Sequence, residues 1–181
     1  MRLFVAIEIP ADIRERIADY VSPVRPRLAN ARWVRPEGMH ITLKFLGNIA
    51  DERRHAIEGA LQKVHASRFR LSLEDVGMFP NARSPRVLWV GIDSGPELAA
   101  LAQEVDAALA RLGFERENRP FTPHVTLARF KEGGKKQNVA SALPESQPSF
   151  GTMTAPEFHL YESKLSPQGA RYSKLASFAL K

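Results

Sequence analysis

Two phrases, His-Ile-Thr-Leu at 40–43 and His-Val-Thr-Leu at 124–127, occur in a chain that has only five histidines. Each lies in a short apolar, β-branched run, the composition of a half-buried strand. Strands alternate their side chains with period two. His40, Thr42 and Lys44 therefore fall on one face, against Ile41 and Leu43 on the other. His124, Thr126 and Ala128 share a face against Val125 and Leu127. One such histidine alone reads as an ordinary structural residue. The repetition changes that.

The order of elements repeats as well. Leu3-Phe4-Val5-Ala6-Ile7-Glu8 lines up with Leu88-Trp89-Val90-Gly91-Ile92-Asp93, with Ile92 85 residues after Ile7 and His124 84 after His40. Each half runs strand, helix, histidine strand. Two copies of one unit packed about a pseudo-two-fold axis bring equivalent strands face to face, so each His/Thr pair lines a shared cleft.

Periodicity supplies the remaining elements. A strand spans 2–9, followed by an amphipathic helix from 11 with Ile13, Ile17 and Val21 on one side. A second helix spans 51–66, with Asp51 as N-cap and Ile57, Leu61 and Val64 inward. Strands follow at 69–76 and 86–93, separated by the Pro/Asn/Arg-rich turn at 79–85. The helix at 96–112 ends at Gly113, and two strands near 155–163 and 172–180 close the chain. The stretch 131–138, "KEGGKKQN", reads as a flexible basic loop.

The 181 residues, 44% of them hydrophobic, suffice for one compact domain or two intimate lobes. With no cysteine, a disulfide framework, a thiolate metal site and a cysteine nucleophile are all excluded, and a cytoplasmic location is expected. The apolar run before Glu8 is too short to span a membrane and reads as a strand of the mature protein. A formal charge of +6 favours polyanionic partners, nucleic acid first.

Paired imidazoles with neighbouring hydroxyls suit acid–base work on a phosphodiester. An imidazole of ordinary pKa, about 6.5, serves as base when neutral and acid when protonated. Attack at phosphorus needs one proton removed from the nucleophile and another delivered to the leaving oxygen. Two histidines on opposite sides of one phosphate meet both needs, and symmetry leaves their roles interchangeable. The threonine hydroxyls can donate to non-bridging oxygens, where losing one donor typically costs about 3–4 kcal/mol of barrier.

With their flanks, "RLFVAIEIP", "RWVRPEGMHITLKFLG", "PHVTLARF" and "LYESKLSPQGARY", the twin motifs resemble those of the 2H phosphoesterase superfamily. Within it, nearly the whole chain resembles the RNA 2′,3′-cyclic phosphodiesterases, also called 2′-5′ RNA ligases. The resemblance implies an α+β, bilobal, pseudo-two-fold duplicated fold over 1–181, with two antiparallel sheets flanking a central groove and helices outside. It implies hydrolysis of a 2′,3′-cyclic phosphate to a 2′-phosphate, with no metal or other cofactor, and reversible 2′-5′ joining of RNA such as tRNA fragments. Carried over by position, His40 is the proton donor to O3′ and His124 the proton acceptor that activates water. Thr42, Thr126 and Arg129 bind the phosphate. The expected partner is RNA with cyclic-phosphate ends, met by a monomer away from membranes.

Arg129 poses a problem, because strict alternation from His124 turns it away from the cleft unless a bulge or the strand's end redirects it. Lys44 has the parity for phosphate contact. Phe45, Trp33, Phe121 and Phe130 are candidates for base stacking, with packing the commoner use of such residues. His55 and His65 read as surface groups and His159 as structural. No His-Glu-x-x-His accompanies the histidine pair, no lysyl-adenylate motif surrounds Lys164, and "GGKK" lacks P-loop spacing. The rival from another class is a basic RNA-end binding module whose histidines only hydrogen-bond.

Overall fold

In chain order the elements are β1 (Arg2–Glu8), α1 (Ala11–Val21), β2 (Ala31–Trp33), β3 (His40–Asn48), α2 (Arg54–Gln62), β4 (Phe69–Phe79), β5 (Val87–Ser94), α3 (Glu97–Ala110), β6 (His124–Phe130), α4 (Val139–Ala142), β7 (Ser149–Ala155), β8 (Glu157–Ser166) and β9 (Gly169–Ala179). The computed structural model describes residues 1–132 and 138–181. The Gly-Gly-Lys-Lys stretch of the basic loop lies outside the described residues.

The strands form two antiparallel sheets, ordered β3-β1-β8-β9 and β2-β6-β5-β4-β7. This is the duplicated α+β architecture of two antiparallel sheets that the family resemblance implies. β1 is buried along its length between β3 and β8, and β5 holds the matching place between β6 and β4. The halves also exchange strands. β4, from the first half, pairs with β5, whereas β8, from the second, pairs with β1. One apolar core accordingly draws on both halves, from Leu3, Val5 and Ile7 of β1 to Leu88 and Val90 of β5 and Val125 and Leu127 of β6.

The helices follow the sequence period. α1 buries Ile13, Ile17 and Val21, and α3 buries Leu98, Leu101, Val105 and Leu109. Gly113, at φ +86°, turns the chain out of α3 in a conformation that favours glycine. α2 is shorter than the expected 51–66, because residues 51–53 form a 3₁₀ turn. Asp51 is not the helix N-cap. It lies within that turn, its carboxylate 3.4 Å from the N-terminal ammonium, which itself donates to the Ile49 carbonyl at 2.8 Å. The competing charge holds the side chain away from the capping position.

Three strands, not two, close the chain. β7 escapes the alternation pattern because its pairing with β4 slips between Leu73 and Glu74, and because Gly151 takes φ +113°. No described helix is long and apolar enough to cross a membrane.

Candidate active site

The two histidine strands come close together, with Cα atoms of β3 and β6 within 8 Å. Each strand begins at its histidine, and each histidine is hydrogen-bonded to its own chain two residues back. His40 Nδ1 lies 2.6 Å from the Gly38 carbonyl and His124 Nδ1 2.8 Å from the Thr122 carbonyl. A carbonyl only accepts, so Nδ1 is the protonated nitrogen in both rings and Nε2 is the one free for chemistry.

The register explains which neighbours share the cleft face. Glu8 stands opposite His40 and Ala6 opposite Thr42, while Gly91 stands opposite His124 and Trp89 opposite Thr126. After each threonine the ladder slips, leaving Leu43 and Leu127 as the extra residues of two equivalent bulges. A bulge reverses the parity of everything beyond it. Ala128 then faces Leu88 on the core side, and Arg129 stands opposite Val87, on the side of Trp89 and the His/Thr pair. The bulge resolves the parity problem for Arg129.

The same device overturns the expectation for Lys44. Opposite Val5, it has crossed to the side away from His40 and Thr42. There its ammonium donates to Asp106 Oδ1 at 2.5 Å and to the Glu115 carbonyl at 2.6 Å. It is not a phosphate contact. Phe45, one residue further, stands opposite Phe4 and is 54% exposed, whereas Trp33, Phe121 and Phe130 are partly buried against the core.

His40 sits among aromatic rings, with Phe4 at 4.7 Å, Tyr172 at 5.2 Å and Tyr161 at 6.3 Å. Burial in that cluster, with smaller contributions from the charges of Arg129 and His124, brings its pKa down to about 4 against the pull of the Gly38 hydrogen bond. The cross-talk also puts His40, His124 and Arg129 within one electrostatic neighbourhood. His124 meets the edge of Phe79 at 5.1 Å, and Phe79 meets Trp89 at the same distance. Trp89 packs against Gly77, where an added Cβ would clash with the indole. Sequence periodicity did not single out Phe4, Phe79, Trp89, Tyr161 or Tyr172, since only cross-strand pairing brings them to the histidines.

His159 is buried, bonds Ser177 Oγ through Nδ1 at 2.9 Å, and lies near Glu8 and Glu157. His55 and His65 are exposed. Among the described residues, no group of three His, Cys, Asp or Glu side chains is arranged to hold a metal ion.

The LigT-like phosphoesterase family matches this chain twice, over residues 7–89 and 90–172. The chain belongs to that family. The two matches begin 83 residues apart, which is the separation of Glu8 from Gly91 and of Ala6 from Trp89, the residues opposite the two His/Thr pairs. The Leu-aromatic-Val similarity at 85 is thus two residues out of structural register, a shift that preserves strand parity. Among the relatives of this LigT-like phosphoesterase, the RNA 2′,3′-cyclic phosphodiesterase of Archaeoglobus fulgidus is 39% identical, covering 98% of this chain and 99% of its own. The enzyme of that name from Escherichia coli K12 is 34% identical, covering 99% and 96%. In three dimensions, the crystal structure of E. coli LigT complexed with 3′-AMP superposes with a TM-score of 0.82 at 33% identity, over 99% of this chain and 97% of that one.

Proposed function

We propose that this enzyme hydrolyses 2′,3′-cyclic phosphate ends of RNA to 2′-phosphates by paired-histidine acid–base catalysis. The observation that supports the reading is the placement of two His-x-Thr pairs at equivalent positions on strands whose Cα atoms come within 8 Å of each other. The names of the relatives support the substrate class.

In the proposed step, water attacks phosphorus in line with O3′. His124 Nε2 takes the proton from the water, and His40 Nε2 gives one to O3′ as the P–O3′ bond breaks. The products are a 2′-phosphate and a free 3′-hydroxyl. Thr42 and Thr126 donate to the non-bridging oxygens, and Arg129 offsets their charge. A 5′-hydroxyl in place of water gives a 2′-5′ linkage by the same proton traffic, which accounts for ligation as a reversible second activity.

The leaving oxygen belongs to the ribose, so the donor must stand on the nucleoside's side of the phosphate and the base on the solvent-fed side. His40 lies among Phe4, Tyr161 and Tyr172, a surface suited to a nucleoside. Its low pKa in the free protein rises when an anionic phosphate binds beside it, since a nearby negative charge favours the imidazolium.

The test is incubation with RNA ending in a 2′,3′-cyclic phosphate, in the presence of a chelator. The expected product carries a 2′-phosphate. Tight binding of the RNA end without turnover would replace this reading with that of a binding module.

A further inference from the structure

Arg32 on β2 and Arg129 on β6 stand directly opposite each other in an antiparallel pair. Cross-strand partners share a face, and the bulge at Leu127 puts Arg129 on the face of His124 and Thr126. Arg32 therefore belongs to that face too, one strand further out, about 4.8 Å along the sheet. Its neighbours Ala31 and Trp33 pack against the core, as alternation requires. Both arginines are exposed.

Like charges placed directly opposite in a sheet repel. Among the described residues neither arginine forms an ion pair, whereas nearby Arg86 is matched by Glu132 at 3.1 Å. β2 is an edge strand, and a charge there keeps other strands from pairing with it. A glutamate at 32 would serve that purpose and neutralise Arg129 as well. Arginine instead leaves two facing cations that an outside anion would neutralise. Their placement is fixed. The Val34 amide donates to the Leu127 carbonyl at 2.8 Å, and Arg35 Nη2 donates to the Gln168 carbonyl at 2.8 Å. The segment from Arg32 to His40 is thus tied to β6 of one sheet and to the β8–β9 turn of the other.

In the proposed step Arg129 offsets the charge of the reacting phosphate, and its forked N–H donors leave an edge to turn toward Arg32. We infer that Arg32, with that edge of Arg129, binds a second phosphate, the phosphodiester joining the cyclic-phosphate nucleotide to the nucleotide before it. The inference rests on the cyclic phosphodiesterase reading and makes an RNA chain, not a lone nucleotide, the preferred substrate. A planar guanidinium suits a phosphodiester, whose two non-bridging oxygens carry its charge. Such a site positions the backbone and reads no base.

The test uses two dinucleotides ending in a 2′,3′-cyclic phosphate. One has an ordinary phosphodiester between its nucleosides and the other an uncharged methylphosphonate. Wild type should favour the phosphodiester by about tenfold in kcat/KM, the effect of one charge-assisted contact. Arg32→Ala should erase most of that preference through KM, and Arg32→Lys should keep part of it. Added salt should shrink the wild-type preference, because it weakens phosphate contacts. The ratio is read within one protein, so a partly unfolded variant lowers both rates and leaves it unchanged. Equal turnover of the two dinucleotides by wild type, or a full preference in Arg32→Ala, would overturn the second phosphate site while leaving the phosphodiesterase reading standing. Wild-type protein that turns over neither would overturn both.

Discussion

Lys44 Nζ lies 2.5 Å from Asp106 Oδ1, joining the strand of the first histidine to the helix that precedes the second. Asp106 also takes Arg116 at 2.8 Å and the Glu117 amide at 3.2 Å, both on the segment leading to His124. Burial pushes the Asp106 carboxyl up, but the hydrogen bonds from Lys44 and Glu117 and the nearby cations outweigh it and hold it below the ordinary range. The network therefore ties together the approaches to both imidazoles.

Removing Lys44 leaves the buried Asp106 with Arg116 and the Glu117 amide alone, and removing the Asp106 charge leaves the buried Lys44 ammonium with the Glu115 carbonyl alone. Lys44→Met or Asp106→Asn should each destabilise the fold by about 3–5 kcal/mol, measured by urea denaturation. Lys44→Met with Asp106→Leu should recover much of the loss, because a well-packed apolar pair avoids the desolvation cost. A Lys44→Met protein of full stability would show the pair to be inert.

The two histidines differ in what a better leaving group can repair. His40→Ala and His124→Ala should each lower kcat by about 10²–10⁴-fold on a normal cyclic phosphate. With sulfur in place of O3′, no proton need be delivered, so activity returns to His40→Ala and not to His124→Ala. The opposite pattern would exchange their roles.

Arg129 reaches the cleft only through the bulge at Leu127. Arg129→Ala should lower kcat/KM by about 10–100-fold, the loss of one charge-assisted contact. Arg129→Lys should keep part of the rate by retaining the charge without the guanidinium fork. An unchanged rate for Arg129→Ala would remove it from the site.

Acid should weaken the fold through His40. Its folded pKa, about 4, lies below the unfolded value near 6.5, so the unfolded chain binds the extra proton first. Stability is full above pH 6.5 and falls as the pH drops toward 4, by up to about 3 kcal/mol from this group. Chemical denaturation at pH 7 and 4.5 should show a smaller drop for His40→Gln than for wild type.

The missing side chain at Gly77 leaves room for the Trp89 indole against β4. Gly77→Ala should cost about 1–3 kcal/mol by forcing the indole aside. Because Trp89 stands opposite Thr126, the substitution should also lower kcat. Thermal melts followed by circular dichroism and a rate assay on the same sample separate the two effects.

The pattern of residues along the chain determined the kinds of elements, the buried faces of α1 and α3, and the existence of two equivalent His/Thr strands. These are local properties, written in periods of two and 3.6 residues and in one repeated phrase. Tertiary pairing decided the rest. Lys44 and Arg129 both changed sides because β1 and β5 pair with the histidine strands through a slip at Leu43 and Leu127. Nothing within a single strand records where its partner will slip, since the slip relieves a mismatch between two strands far apart in sequence. For the same reason the aromatic surroundings of His40 came into view only when β8 and β9, from the far end of the chain, were seen completing the sheet that β1 begins.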